Sequence, residues 1–79
     1  MKLVETILYG QWLKYKKKLK ELEAVEGSDF VDSQLRAAIH AGIILEPTEL
    51  DELPVGEVTK VYKAFSELYV KSLNPETKN

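Results

Sequence analysis

Five lysines fall within seven positions, Lys14, Lys16, Lys17, Lys18 and Lys20, with Trp12 just ahead of them and Tyr15 among them. Ammonium groups meet phosphates or carboxylates, and exposed rings stack on unpaired bases, so this run carries the clearest binding chemistry in the chain. Two features weigh against nucleic acid. The run holds no arginine and is followed by Glu21, Glu23 and Glu26. Trp12 and Tyr15 also share a helical face with Leu8 and Leu19, which turns the rings inward and away from any base. Nucleic-acid binding by the Lys14 to Lys20 face is therefore the lesser alternative to a solvated basic face.

Groups for catalysis are sparse. His40 is the only histidine, and with no cysteine in the chain it has no second soft ligand for a metal. Beside Ala41-Gly42 it reads as a favourable charge at a helix C-terminus. Glu49, Asp51 and Glu52 lack the oxygen-rich loop and central glycine of a calcium site, and they read as acids in the first turn of a short helix. Gly10, Gly27, Gly42 and Gly56 lie too far apart to cradle a phosphate. No enzymatic site, cofactor or metal is expected.

The elements that would position these residues follow from apolar spacing. Leu8, Trp12, Tyr15, Leu19 and Leu22 recur at helical intervals and predict helix one over 9–26, after an N-terminal segment 1–8. Gly10 costs a helix interior roughly 0.5 to 1 kcal/mol, which favours a start near Tyr9 over one near Leu3. At about 1.5 Å per residue this helix would reach about 27 Å, longer than helix two, so either helix three covers the overhang and the stripe is core throughout, the favoured reading, or part of the stripe becomes an interaction surface. Gly27-Ser28-Asp29 stops it and caps helix two, expected over 29–41, with Val31, Leu35, Ala38, Ile39 and Gly42 on one face and Phe30 at the entry. Gly42 supplies the stop. Ile43-Ile44-Leu45 should cross the interior as an extended connector. Thr48 then caps a short helix over 48–53, and Pro54 sits in the first turn of helix three, over 54–73. Val55, Val58, Tyr62, Phe65, Tyr69 and Leu73 form its apolar face, flanked by Val61 and Leu68. A polar, flexible tail over 74–79 closes the chain. The expected fold is all-α, a small three-helix domain with an extra short helix between helices two and three.

Seventy-nine residues allow one modest core, so self-association or a partner is a reasonable expectation. Without cysteines, nothing points to an oxidising compartment. The first nine residues carry neither a cleavage site nor an apolar span near twenty residues, so neither signal peptide nor membrane anchor is expected. The net charge of −2 hides a striped distribution: +5 over residues 1–20, −9 over 21–57 and +2 over 58–79. Such stripes either neutralise one another within the fold or steer a partner or a second copy.

Leu8-Tyr9-Gly10-Gln11-Trp12-Leu13-Lys14-Tyr15, and the later stretch from Ala41 to Val58 with its Ile-Ile-Leu-Glu-Pro connector and Glu49-Leu50-Asp51-Glu52-Leu53-Pro54 turn, resemble small proteins of the tail-gene clusters of long-tailed bacteriophages, especially tail assembly chaperones. The resemblance spans roughly residues 8 to 70. It implies a helical, non-enzymatic protein in the cytoplasm of the bacterial host that engages the tape measure and tail tube proteins. A structural component of the phage neck or tail is the close alternative. At matching positions it picks out Pro47, Leu50, Leu53, Pro54 and Val58, whose simplest role is to hold the turn together, and Gly42, the helix stop, belongs to the same structural turn. Candidate partner-binding residues are Trp12, Lys14, Tyr15, Lys17, Lys18 and Phe30, chosen from the length of helix one and the charge stripe.

Overall fold

A computed structural model describes residues 1–74. Three helices account for most of them: α1 (Tyr9–Glu23), α2 (Phe30–His40) and α3 (Val55–Leu73), joined by two short strands, β1 (Lys2–Leu3) and β2 (Ile44–Glu46). The strands pair antiparallel, with Lys2 opposite Glu46, Leu3 opposite Ile44 and a bulge between them. Val4 N–H extends the contact by donating to Ile43 O at 3.0 Å. The all-α expectation is thus corrected to a mainly helical fold with a two-stranded sheet. The connector's own backbone needed partners once Ile43 and Ile44 became buried, and the N-terminal segment supplies them.

Helix α1 starts at Tyr9. Leu8 has no side-chain oxygen with which to cap it, but Gln11 Oε1 accepts from Leu8 N–H at 3.0 Å, one half of a capping box. The helix ends at Glu23, three residues before the expected 26. Its last turn unwinds through Val25 N–H to Leu22 O, ahead of Gly27 at φ +82. Ser28 hydroxyl donates to Glu23 O at 3.5 Å, while Asp29 caps α2 by accepting from Asp32 N–H at 2.9 Å. Division of labour between Ser28 and Asp29 explains why both polar residues occupy this turn. Helix α2 runs over 30–40, one residue shorter at each end than expected, and Gly42 follows its end at φ +79.

The expected short helix over 48–53 does not form. Residues 47–50 are irregular and 51–53 make a turn held by Leu53 N–H to Leu50 O at 3.1 Å. So few residues cannot offset the cost of nucleating a helix, and Pro54 disfavours helical geometry at Leu53. Pro54 itself is the N-cap of α3, one position outside the helix, its carbonyl accepting from Glu57 and Val58 N–H. Arg36 fastens the turn, with Nε 2.9 Å from Asp32 Oδ2 and Nη2 2.6 Å from Asp51 Oδ1. Those side-chain hydrogen bonds, from Asp32 first and then Asp51, raise the guanidinium pKa above its ordinary value.

Tyr15, Leu35, Ala37, Ala38, Ala41, Ile43, Ile44, Leu50, Val61, Phe65 and Leu68 form the buried core. Helix α2 is central, burying Ser33 and Ala37 as well as Leu35 and Ala38. Its small side chains let neighbours approach on more than one side. Several residues expected in apolar faces lie outside that core: Leu8, Val55 and Leu73 are exposed, and so is Leu45 at the bulge. Val55 opens α3 before that helix meets the others, and the buried centre of α3 is Val61, Phe65 and Leu68. Of the tail expected over 74–79, Asn74 caps the end of α3 and residues 75–79 lie outside the described residues.

Candidate binding faces on helix one

Helix α1 lies antiparallel to α3. Its entry is tied to the end of α3 by Ile7 N–H donating to Ser72 Oγ at 3.0 Å. Further along, Tyr15 packs on Phe65 and Tyr69 with ring centroids 5.4 and 5.7 Å away. Trp12 Nε1–H donates to Tyr69 Oη at 3.3 Å. Gln11 joins α1 to the end of α2, its Nε2 donating to Gly42 O at 3.3 Å. The aromatic stripe thus belongs to the packing between helices.

The six candidate partner-binding residues do not form one site. Tyr15 is buried, and desolvation, followed by the nearby Tyr69, Tyr62 and Glu23, pushes its phenol pKa far above the ordinary value. Trp12 is half-buried and carries Lys16 Nζ over its ring at 4.3 Å, a cation–π contact that occupies the ring face. Phe30 stands alone at the start of α2, 59% exposed. Lys14, Lys17 and Lys18 do come together, on another side of α1. With Glu21 and His40 they line a recess of about 500 Å³.

The charge stripes are not neutralised by pairing across the fold. Among the described residues the ion pairs are local or lie within the acidic middle: Lys18 with Glu21, Arg36 with Asp32 and Asp51, and Lys60 with Glu57. Lys14 and Lys17 enter none of them and remain exposed. Lys18 Nζ meets Glu21 only at 3.8 Å, a loose contact that a partner's carboxylate can outbid. A recess lined by three lysines offers ammonium groups to a carboxylate.

Residues of the proposed structural turn are spread over the connector. Gly42 takes its left-handed conformation with ordinary van der Waals space around it, its nearest neighbour being Gln11 Nε2 at 3.8 Å from where a Cβ would stand. Leu50 is buried, and Leu53 and Val58 pack against the core. Pro47 and Leu53 line a shallow recess with Val61, and exposed Pro54 acts through α3. Sequence reasoning missed Lys16 as the cation over Trp12, although the i, i+4 spacing of the two residues on one helix face was available as a signal. It also missed Gln11, whose bond to Gly42 O depends on tertiary placement, although its place three residues after Leu8 was a local capping signal.

Among the described residues, no helix is long and apolar enough to cross a membrane, and no group of three or more His, Cys, Asp or Glu side chains is placed to hold a metal ion. No family model, curated protein or solved structure matches the chain.

Proposed function

We propose that this protein is a non-enzymatic binding module whose partner presents carboxylates to the Lys14, Lys17 and Lys18 face of α1. The observation that carries this reading is the cationic recess beside His40, where Lys14 and Lys17 stand in solvent without ion pairs although the chain holds more acids than bases. Electrostatic attraction of this kind speeds encounter and selects partners of opposite charge. Together with the resemblance over residues 8–15 and 41–58, it supports a tail assembly chaperone of a long-tailed bacteriophage, acting in the host cytoplasm on the tape measure and tail tube proteins. A structural role in the phage neck or tail would use the same face. Nucleic acid is less well supported, because Tyr15 is buried and Trp12 is engaged on its face and at its indole N–H.

Titration of the purified chain with tape measure protein, with tail tube protein and with single- and double-stranded DNA tests the proposal. Binding to a tail protein is expected, weakened about tenfold or more by combined Lys14→Ala, Lys17→Ala and Lys18→Ala. Unchanged affinity in that variant overturns the assigned face. Tighter binding to DNA than to either protein overturns the reading itself.

A further inference from the structure

A second groove, distinct from the lysine recess, runs between α1 and α3 with a volume of about 380 Å³. Tyr15, Leu19, Tyr62, Tyr69 and Val70 supply its apolar walls, Gln34 of α2 contributes an amide, and Lys16 is its one charged lining residue. Val70 is 59% exposed at the rim of the groove. Phe30 lies one helical turn before Gln34 on the same side of α2, since residues i and i+4 share a face. It is exposed, as are Val25 and Glu26 in the preceding turn and Asp29 next to it in the chain. One surface therefore carries an apolar groove with a cation at its lip and, next to it, an apolar knob flanked by carboxylates.

We propose that two copies of this chain pair across this surface about a two-fold axis near Gln34, each seating Phe30 in the other's groove and bringing Glu26 and Asp29 against the other's Lys16. Knob and groove are complementary in both polarity and charge, and a two-fold operation forms both contacts at once and then closes. The carboxamide of Gln34 is donor and acceptor together, so it can bond to its own symmetry mate near the axis. Glu23 follows Leu19 by four residues on α1 and so shares its face, which sets a carboxylate beyond the Leu19 end of the groove and favours the Lys16 end for incoming acids. The molecule measures 39 × 26 × 17 Å, so its broad face is large enough for the roughly 800 Å² per partner of a standard interface. Lys14, Lys17 and Lys18 take no part, which leaves the recess open in the dimer.

Sedimentation equilibrium of the full chain over a wide concentration range tests the pairing. The mass should rise from one chain to two and stop there, with Phe30→Ala weakening association about tenfold or more. Lys16→Glu and Glu26→Lys should each weaken pairing when alone, Lys16→Glu the more because it sets acid against both Glu26 and Asp29 at each of the two contacts, while an equimolar mixture should pair more tightly than either variant with itself. Circular dichroism checks that these exposed substitutions leave the fold intact. Because the chain has no cysteine, a mixture of Phe30→Cys and Val70→Cys chains gives an independent readout, an intermolecular disulfide formed under mild oxidation. A strictly monomeric chain up to about 1 mM, association indifferent to Phe30→Ala and to charge reversal, or growth beyond two copies each overturns the proposal.

Discussion

Two glycines show how position decides what a residue contributes. Gly10 lies inside α1 with nothing within 4 Å of where a Cβ would stand, whereas Gly42 occupies φ +79. Gly10→Ala should therefore stabilise the protein by up to about 1 kcal/mol through helix propensity. Gly42→Ala should destabilise it by about 1 to 2 kcal/mol, through backbone strain alone. Urea unfolding of both variants checks the opposite signs. Tyr15 gives a residue-scale prediction in pH. Its folded-state pKa is raised above the ordinary 10.0, so its stabilising contribution is whole below pH 10 and is lost as pH rises above it, where the unfolded chain ionises and the native one does not. Wild-type stability should decline from about pH 10 with a slope of up to about 1.4 kcal/mol per pH unit from this residue. Tyr15→Phe should flatten that decline, as measured by urea midpoints across the alkaline range.

At the scale of elements, the turn between β2 and α3 is fastened by an ion pair that looks stronger than it is. Arg36 Nη2 lies 2.6 Å from Asp51 Oδ1, but their side chains are 41% and 78% exposed. Water screens both groups, so Asp51→Ala should cost no more than about 1 kcal/mol in a thermal melt. What holds the turn is the burial of Leu50 and the packing of Leu53. Helix stops were legible in the sequence because Gly27 and Gly42 meet a local requirement, positive φ, that few other residues tolerate. The inward turn of Tyr15 was also legible, from the 4-3-4-3 spacing of its stripe. The strand pair was not. Lys2–Leu3 is too short to show any period, and its partner lies some forty residues away. The short acidic helix was over-read because caps and first-turn acids are signals of a helix start, and they say nothing of whether enough residues follow to propagate it.

Taken as a whole, the molecule has little stability to spare. A domain this small commonly retains about 3 to 5 kcal/mol, and Phe65, at 2% exposure, touches both Tyr15 and Tyr69. Phe65→Ala should cost about 3 to 5 kcal/mol, enough to unfold much of the population, with far-UV dichroism as the readout. A two-fold pairing would relieve this fragility, since any association specific to the native state shifts the unfolding equilibrium by mass action. Binding at the lysine recess should respond to salt far more than pairing at the aromatic groove. The recess relies on exposed charge, whereas the groove relies mainly on apolar area. Comparing the two at low and high ionic strength separates the surfaces without any mutation. The split of the candidate residues between them could not be read from the sequence, because Lys14 and Lys16 are neighbours in the chain and only the placement of α2 and α3 assigns them to different sides.

Gln11 accepts from Leu8 N–H with one atom of its carboxamide and donates to Gly42 O with the other. A single planar group thereby latches the entry of the first helix to the exit of the second, so that a disturbance at one junction is felt at the other. The Leu8 amide, which donates to Gln11, and the Gly42 amide, which donates to Ile39 O, should consequently both be slow to exchange with deuterium. Gln11→Glu, which keeps the acceptor and removes the donor to Gly42 O, should leave Leu8 N–H protected while Gly42 N–H, held by Ile39 O, exchanges faster as the end of α2 loosens.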